Sequence, residues 1–365
     1  MIGPRRLNVT LLSKYSRLGA SSRLRSLQYL PELAKEGIQV TPLPLFDDAY
    51  LRRLYNLEGR SVAAVVGRYG ARTWQMRRAS GADLLWIEKE ALPYLPSWVE
   101  QLLMPARLPY VVDYDDAIFH NYDNSGHVIV RKLLGRKIDR VMAGAATVVC
   151  GNAYLAARAN QAGARNIRRI PTVVDVARYT PLPDAVNASP VIGWIGSPST
   201  QKYVLELRAV FERLHQTHGI RLVLVGARPE VALRLGSVPV DVLPWTEDTE
   251  ARHIASFDIG IMPLPDNPWE RGKCGYKLIQ YMACAKPVVA SPVGVNTEIV
   301  QGWDCGLLAE GHEQWVVALD RLLSQLGTRA EFGRRGRLAV ETYYSLQAQA
   351  RNLAGILRDA AGRVV

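Results

Sequence analysis

Short apolar runs alternate along the chain with longer segments in which apolar residues recur every three or four positions. The short runs predict β-strands, and each longer segment predicts a helix that brings the chain back to the same end of a sheet. This alternation is typical of an α/β fold with parallel sheets. The predicted strands are 7–12, 38–42, 84–87, 110–113, 147–150, 167–170, 191–195, 222–225, 240–243, 259–262, 288–290 and 307–308.

Residues 179–190 interrupt the alternation with proline, small and polar residues that show no periodicity. We interpret 181–190 as a hinge between a first domain, 1–180, and a second domain, 191–345. Two successive parallel α/β domains joined by a hinge predict a central cleft. In such sheets ligands bind beyond the carboxyl ends of the strands.

The positive charge is concentrated in the first half of the chain. The net charge is +11, and residues 1–190 carry 26 basic and 16 acidic side chains. This excess predicts a negatively charged partner, and an anionic membrane surface is one candidate. A solvated helix face is the alternative interpretation. The basic segments comprise Arg52, Arg53, Arg68, Arg72, Arg77 and Arg78, with Trp74 among them, and Arg131, Lys132, Arg136 and Lys137.

Other features narrow the class of protein. The four cysteines lie far apart without a C-x-x-C pair, which argues against a zinc site or a disulfide framework and favours the reducing cytoplasm. No segment approaches the roughly 18 apolar residues that a membrane span requires. We therefore expect a cytoplasmic protein that contacts the inner face of the membrane at most peripherally. No motif for nucleic-acid binding is present, so no nucleic-acid partner is expected.

Two strand-to-helix junctions are suited to bind an anion. Gly19 precedes a helix predicted to begin near Ser21, with Arg23 and Arg25 as additional positive charge. Ser21 as a simple helix cap and solvated arginines are the alternative there. After the first strand of the second domain come Gly196, Ser197, Ser199 and Thr200, a turn suited to a diphosphate or to ordinary connection chemistry.

Segment 263–294 carries the most chemical information. Glu270, Arg271 and Lys273 stand in an irregular loop that leads through Gly275 into a helix predicted over 276–283. Lys273 and Lys277 are four residues apart and share a face near the positive helix end if the helix begins early enough. Such an arrangement favours a bound anion, and the alternative is two solvated lysines.

Acidic residues follow two strands of the first domain. Asp113, Asp115, Asp116 and then His120 follow the strand at 110–113, where a cleft-facing acid or base is expected. The alternative is that Asp116 caps a helix and that His120 is a surface residue. Glu88, Lys89 and Glu90 follow the strand at 84–87. Glu90 is a candidate for binding a ligand there, but solvated loop charges are the favoured interpretation.

Several segments together resemble retaining glycosyltransferases of the GT-B class, the group called family 4 or group 1. They are GASSRLRSLQYLPELAKEGIQV, CGNAYLA, IPTVVDVARYTP, GWIGSPST and KCGYKLIQYMACAKPVVASPVGVNTEIV, and they cover most of the chain in the expected order. The resemblance implies two Rossmann-like, doubly wound domains. The first would bind the acceptor and the second a nucleotide-sugar donor, with no metal or other cofactor. The C-terminal helix, about 346–365, would pack back on the first domain.

The resemblance also implies roles for individual residues. Members commonly have two glutamates, eight positions apart, where this chain has Gly272 and Gln280. Gln280 would still contact the donor ribose, and Glu270 or Asp266 would compensate for the other carboxylate. Asp115, Asp116, His120, Lys273 and Lys277 would be catalytic. The donor would contact Gly19, Gly196, Ser197, Ser199, Thr200, Lys202, Glu270, Gly275, Tyr276 and Gln280.

The expected activity is transfer of a hexose-type sugar from a UDP- or GDP-sugar to a glycan or lipid-linked acceptor, with retention, in polysaccharide or glycolipid assembly. A sugar-nucleotide epimerase or phosphorylase on the same fold is one alternative. A catalytically silent relative that only binds the sugar nucleotide is another, because both family carboxylates are missing.

Overall fold

The chain forms two units, each built around one sheet. The computed structural model describes residues 6–55, 62–181 and 189–362. Unit 1 is Met1–Thr172 together with Leu346–Val365, and unit 2 is Val173–Ser345. The change of unit falls between Thr172 and Val173, ahead of the predicted hinge. Most of that hinge, 182–188, lies outside the described residues.

Each unit contains a six-stranded sheet in which all paired strands are parallel. The predicted α/β fold with two parallel sheets is thereby confirmed. The strands of unit 1 are β1 (Leu7–Tyr15), β2 (Ile38–Phe46), β3 (Leu84–Glu88), β4 (Tyr110–Tyr114), β5 (Thr147–Cys150) and β6 (Ile167–Arg169). Those of unit 2 are β7 (Val191–Ile195), β8 (Arg221–Val225), β9 (Val240–Leu243), β10 (Ile259–Met262), β11 (Val288–Ala290) and β12 (Gly306–Leu308).

Helices connect the strands in both units. Unit 1 contains α1 (Ala20–Arg25), α2 (Leu30–Lys35), α3 (Asp48–Tyr55), α4 (Val62–Arg78), α5 (Ser97–Leu103), α6 (His120–Asp123), α7 (Val128–Leu134), α8 (Lys137–Gly144) and α9 (Ala153–Gln161). Unit 2 contains α10 (Lys202–Leu205), α11 (Arg208–His218), α12 (Glu250–Ala255), α13 (Pro268–Arg271), α14 (Tyr276–Ala283), α15 (Val295–Trp303), α16 (Gly311–Ser324) and α17 (Leu326–Thr342). The last helix, α18 (Leu346–Ala361), packs against α2 in unit 1.

Strand β2 extends beyond its predicted end at Pro42. Pro42 pairs with Leu11 and Pro44 with Ser13, and the strand continues to Phe46. Proline removes one backbone donor, and an edge strand needs hydrogen bonds on only one side. Because β2 is the edge strand of its sheet, the two prolines do not end it.

The strand order creates one switch point in each sheet. In unit 1 the order is β2-β1-β3-β4-β5-β6, and in unit 2 it is β12-β11-β10-β7-β8-β9. The connections that leave β1 and β3 therefore run to opposite sides, as do those that leave β7 and β10. In open parallel sheets a ligand binds where such connections diverge, beyond the carboxyl ends of the strands. The predicted site residues lie at or near these two positions.

Candidate functional site

In unit 2 the turn after β7 contains several short-range hydrogen bonds. Gly196 N–H donates to the Val225 carbonyl at 3.0 Å, which ties the turn to the end of β8. Ser197 Oγ and Ser199 Oγ are 2.8 Å apart, and Thr200 Oγ1 donates to the Ser197 carbonyl at 3.1 Å. The two serine side chains are exposed. The turn thus offers hydroxyl groups to solvent at the carboxyl end of a central strand.

Lys277 reaches this turn from α14. A Cβ atom built on Gly196 would lie 3.0 Å from Lys277 Cε and 2.3 Å from Trp194 Cζ2. The lysine ammonium is 5.7 Å from the centre of the Trp194 ring. A larger residue at position 196 would displace the tryptophan ring or the lysine. The structure therefore brings Lys277 together with Gly196, at the start of the 196–200 turn.

Lys273 has a different position from the one expected. Helix α14 begins at Tyr276, and its N-cap Gly275 has the left-handed φ of +67° that favours glycine. Lys273 thus precedes the helix, and its ammonium is 5.5 Å from the Trp269 ring centre. The expectation that Lys273 and Lys277 share a helix face is wrong, because the left-handed residue between them prevents an earlier helix start.

Glu270 lies in the short helix α13, not in an irregular loop. Asn267 caps this helix by accepting from Glu270 N–H at 3.0 Å. Glu270 is buried, and its Oε1 accepts from Tyr203 Oη at 2.7 Å, whereas its Oε2 has no hydrogen-bond partner among the described residues. Tyr203 stands in α10 beside Lys202, whose ammonium is 5.1 Å from the tyrosine ring centre. The carboxylate therefore connects α13 to the helix that follows the Gly196 turn.

Gln280 belongs to a buried hydrogen-bond network. Its Nε2 donates to Tyr179 Oη at 3.1 Å, and that hydroxyl donates to Glu250 Oε1 at 2.8 Å. Trp245 Nε1 donates to Glu250 Oε2 at 2.8 Å. Tyr276 is also hydrogen bonded to Tyr179. The Gln280 amide nitrogen is thus occupied inside the unit.

In unit 1 the turn after β1 is less cationic than expected. Gly19 is the N-cap of α1. Arg25 forms a buried ion pair with Asp113, at 2.8 Å and 3.1 Å, and also donates to the Ile170 carbonyl. Arg23 is buried and donates to the Arg17 carbonyl. The expectation that Arg25 adds positive charge to an anion site is wrong, because Asp113 neutralises it.

Lys89 connects the ends of β3 and β4. Its ammonium lies 2.8 Å from Asp115 Oδ1 and 3.2 Å from Asp116 Oδ2, and it donates to Ser21 Oγ at 2.9 Å. Ser21 is therefore a partner of this lysine and not the cap of α1. Asp116 does not cap a helix either, because the next helix, α6, begins at His120 after Phe119. Burial opposes the charged form, but Asp115, Asp116 and Glu88 outweigh it and raise the pKa of Lys89.

Glu88 and Glu90 flank Lys89, and both are buried. Glu88 Oε2 accepts from Lys14 N–H at 2.9 Å and from Ser22 Oγ at 2.6 Å. Burial raises the pKa of Glu88, and burial together with the nearby Lys89 lowers the pKa of Lys14. Glu90 accepts from the buried Lys137 at 2.5 Å. The interpretation of this segment as solvated loop charges is wrong, since partners from distant segments bury all three residues.

His120 lies in another cluster. Its Nδ1 is 2.8 Å from Asp123 Oδ1 and its Nε2 is 2.9 Å from Tyr154 Oη. Asp123 in turn pairs with Arg158 at 3.1 Å. Both ring nitrogens are thus engaged with partners other than Asp115 and Asp116. The structure brings those two aspartates together with Lys89, and it does not place His120 in that cluster.

Residues 189–325 match the family model described as Glycosyl transferases group 1. This segment is a group 1 glycosyltransferase segment. The match confirms the predicted resemblance and the predicted class of enzyme, a glycosyltransferase. It includes the Gly196 turn, α10, α13 and all of α14. No curated protein matches the sequence.

Solved structures similar to this chain extend the comparison beyond the group 1 segment. Sucrose-phosphate synthase from Thermosynechococcus elongatus is 16% identical with a TM-score of 0.71, and the match covers 97% of this chain and 98% of that one. Anabaena HepE in complex with UDP-glucose is 16% identical with a TM-score of 0.71, covering 96% and 99%. WaaG, a glycosyltransferase involved in lipopolysaccharide biosynthesis, is 15% identical with a TM-score of 0.67, covering 96% and 99%. These similarities show the GT-B fold.

Two surface features bear on partners. Within 6–55, 62–181 and 189–362, no helix is long and apolar enough to cross a membrane. Of the basic residues predicted to meet a negative surface, Arg72 and Lys137 are buried, which corrects that interpretation for both. Arg68 is paired with Asp47. Arg52, Arg53, Arg77, Arg78, Arg131, Lys132 and Arg136 are exposed.

Lys89 was not among the residues predicted to belong to the site, yet it contacts Ser21, Asp115 and Asp116. The sequence signal for it was a run of three charged residues at the carboxyl end of a strand, where ligands bind in this fold class. Three charges in one loop are typical of a solvated segment, so composition alone favoured the wrong interpretation. The partners Ser21 and Asp115 lie 68 and 26 residues away, and only the fold brings them together.

Proposed function

We propose that this glycosyltransferase moves a hexose-type sugar from a UDP- or GDP-sugar to a glycan or lipid-linked acceptor, with retention at the anomeric carbon. In this proposal unit 2 binds the donor and unit 1 binds the acceptor. The observation that carries the proposal is the contact of Lys277 with the Gly196 turn, within the group 1 segment. Structures of HepE with UDP and with UDP-glucose support the class of donor.

The reaction explains why a cation belongs at this position. When the bond between the sugar and the diphosphate breaks, positive charge develops at the anomeric carbon and negative charge on the departing phosphate. A fixed donor aimed at that charge contributes roughly 3 to 4 kcal/mol to catalysis. Lys277 stands in the first turn of α14, where a lysine is unfavourable next to the helix dipole unless an anion is bound. A diphosphate would relieve this repulsion.

The other donor contacts follow from the same arrangement. Ser197, Ser199 and Thr200 would donate hydroxyl hydrogen bonds to the phosphates, with Lys202 and Lys273 as further cations. In this arrangement lysine ammonium groups and hydroxyl donors would stabilise the phosphates, so we propose that no metal or other cofactor takes part. Glu270, with its buried Oε2, is our candidate for a sugar hydroxyl.

Gln280 has a smaller role in this proposal than the resemblance implied. Its amide nitrogen is bound to Tyr179, so only its oxygen would accept a hydrogen bond from the donor ribose. Tyr276 and Gly275 would shape the start of α14 next to the donor. Gly19 lies in unit 1, so we do not assign it to the donor phosphates.

On the acceptor side we propose that Asp115 and Asp116 orient the hydroxyl group that attacks. Both lie at the carboxyl end of β4, beside the switch point of the unit 1 sheet. His120 is left out of this role because Asp123 and Tyr154 hold its ring.

We further propose that the enzyme works in the cytoplasm and contacts the inner face of the membrane through α7, where a lipid-linked acceptor would be available. Val128, Ile129 and Leu133 are exposed on this helix together with Arg131 and Lys132. Basic residues close to an anionic bilayer contribute about 1 kcal/mol each, and buried apolar side chains add to this. Such contact suits polysaccharide or glycolipid assembly.

A thermal-shift screen tests the donor assignment. UDP, GDP and ADP and their glucose and mannose conjugates are added to the whole protein, and a ligand that binds only the folded form raises its Tm. We expect UDP or GDP to raise the Tm and to do so without magnesium. A screen in which none of these ligands changes the Tm would contradict the proposal. Analysis of the anomer formed by transfer then tests retention.

A further inference from the structure

Lys89 stands at the switch point of the unit 1 sheet. Strands β1 and β3 are neighbours, and their outgoing connections run to opposite sides. Ser21 lies on the connection that follows β1, and Lys89 directly follows β3. The lysine ammonium joins Ser21 to Asp115 and Asp116, which follow β4. It therefore links all three connections around the position where this sheet topology binds a ligand.

The backbone at Lys89 is strained. Its φ of +64° lies in the left-handed region, which glycine adopts freely and a lysine does not. Strain of this kind persists only where the surroundings hold it, and it is concentrated at functional sites. Glycine would fit this conformation without strain. The lysine side chain must therefore contribute something that glycine cannot.

The gradient of burial indicates what that contribution is. The Lys89 side chain is 8% exposed, whereas those of Asp115 and Asp116 are 13% and 23% exposed. The ammonium thus lies beneath the two carboxylates, and the carboxylates lie nearer to solvent. Lys89 thus contacts both carboxylates from the more buried side of the cluster.

A second buried lysine in the same unit provides a comparison. Lys137 also contacts two carboxylates, Glu90 at 2.5 Å and Glu100 at 3.0 Å. It lies in the first turn of α8, and its partners are both buried. Its network is thus closed inside the unit, whereas the carboxylates above Lys89 are partly open. The two lysines share their chemistry but differ in what their partners face.

We propose that Lys89 is a positioning residue for the acceptor: it fixes Asp115 and Asp116, which accept hydrogen bonds from the hydroxyl group that receives the sugar. This inference rests on the proposed function. It adds that a lysine in a strained backbone conformation holds the acceptor-binding carboxylates in place. The two carboxylates touch the acceptor, and Lys89 acts through them. The ligand class is a polyhydroxylated acceptor such as a sugar.

The test uses the whole protein and UDP-glucose or GDP-mannose labelled in the sugar. Release of the label, to water or to an added membrane lipid extract, gives kcat and KM for the donor, and calorimetry gives the Kd for UDP or GDP. In Lys89→Met we expect kcat to fall by about 100-fold, the scale of a misplaced reacting group, with donor KM and nucleotide Kd within about twofold of wild type. Lys137→Met is the matched control, in which the Tm falls but kcat per folded molecule stays within about twofold.

A triple variant keeps the test decisive if Lys89→Met does not fold. Lys89→Gly, Asp115→Asn and Asp116→Asn together remove the strain, the ammonium and both carboxylates. We expect a Tm at or above that of wild type and the same loss of kcat. Wild-type kcat in a folded Lys89→Met or triple variant would overturn the inference and leave the donor assignment standing. A wild-type protein that neither binds these nucleotides nor releases label would instead contradict the proposed function.

Discussion

The side chain of Lys277 packs against the backbone of Gly196, so that a Cβ atom on the glycine would lie only 3.0 Å from Lys277 Cε. The two residues come from α14 and from the turn after β7, and the fold brings them together at the switch point between β7 and β10. This contact places a lysine side chain against Gly196, at the start of the turn that carries Ser197 and Ser199.

Replacing this cation should weaken binding of the donor diphosphate. In Lys277→Met the stem that packs on Gly196 is largely kept while the charge is removed. A hydrogen bond to a charged group is worth about 1.5 to 3 kcal/mol, so we expect the Kd for UDP or GDP to rise by roughly 10- to 100-fold. Calorimetry on the purified variant measures this change.

Lys35→Met is the control for that substitution. Lys35 is an exposed lysine of α2 in unit 1, paired with Glu32. Its loss should leave the nucleotide Kd unchanged. Equal Kd values for wild type and Lys277→Met would show that Lys277 does not bind the donor phosphates.

Much of the fold follows from local pattern, because each buried strand is a short apolar run between helical segments. All twelve predicted strands are present, and 147–150, 191–195, 240–243, 259–262 and 288–290 have the predicted bounds. Helix α14 also has its predicted bounds. These elements could be predicted because hydrophobic periodicity depends on near neighbours in sequence.

The charged residues of unit 1 could not be placed in this way. Arg25 and Asp113 are 88 residues apart, and Lys137 and Glu90 are 47 apart. A charged residue is solvated unless a partner of opposite charge is brought to it, and only the tertiary fold supplies that partner. The backbone conformation of Gly275 could not be predicted from local pattern either. Its left-handed φ places Lys273 before α14, and composition does not reveal this conformation.

Introducing the family glutamate at position 280 should destabilise the protein. Tyr179 Oη receives a hydrogen bond from Gln280 and donates its proton to Glu250. In Gln280→Glu the amide donor to Tyr179 Oη is lost, and the Tyr179 hydroxyl proton is already donated to Glu250. The new carboxylate therefore has no hydrogen bond from Tyr179, and it lies near the buried carboxylate of Glu250. Like charges that share a buried site are unfavourable, and each kcal/mol lost lowers the Tm by roughly 2 to 4 °C in a domain of this size.

Differential scanning calorimetry measures this change, and Gln216→Glu is the control. Gln216 is exposed on α11 of the same unit, so its substitution should leave the Tm within about 1 °C of wild type, as is usual for surface sites. A Gln280→Glu variant as stable as wild type would mean that the network rearranges to accept a second carboxylate.

Removal of divalent metal should not affect turnover. If the Lys277 ammonium and the hydroxyl donors of the Gly196 turn stabilise the phosphates as proposed, label release from UDP-glucose or GDP-mannose will be the same in EDTA and in magnesium. Paired rate measurements after dialysis against chelator check this. A rate that vanishes in EDTA and returns with magnesium would contradict the metal-free proposal.

Exposed apolar residues on α7 should hold the protein on anionic vesicles. Ile129 is 72% and Leu133 is 66% exposed, next to Arg131 and Lys132. In Ile129→Ser with Leu133→Ser, two apolar anchors are lost, so the fraction that sediments with vesicles of anionic phospholipid should fall at least about tenfold. Leu233→Ser, at an exposed leucine of unit 2, should sediment like wild type. Unchanged sedimentation of the double variant would exclude α7 as the contact.

The buried Glu88 carboxyl makes stability depend on pH in a defined direction. Burial raises the pKa of Glu88 above its ordinary value of 4.5, so the folded state holds this proton more tightly than the unfolded state does. The stabilisation from the protonated carboxyl is complete below about pH 4.5 and is lost as the pH rises through the folded-state pKa.

Glu88→Gln keeps an acceptor for Lys14 N–H and Ser22 Oγ but has no charge to bury. We therefore expect the Tm of Glu88→Gln relative to wild type to increase from pH 4.5 to pH 8. Glu32→Gln, at an exposed pair with Lys35, should show no such increase, and a Tm difference for Glu88→Gln that is constant with pH would contradict the raised pKa.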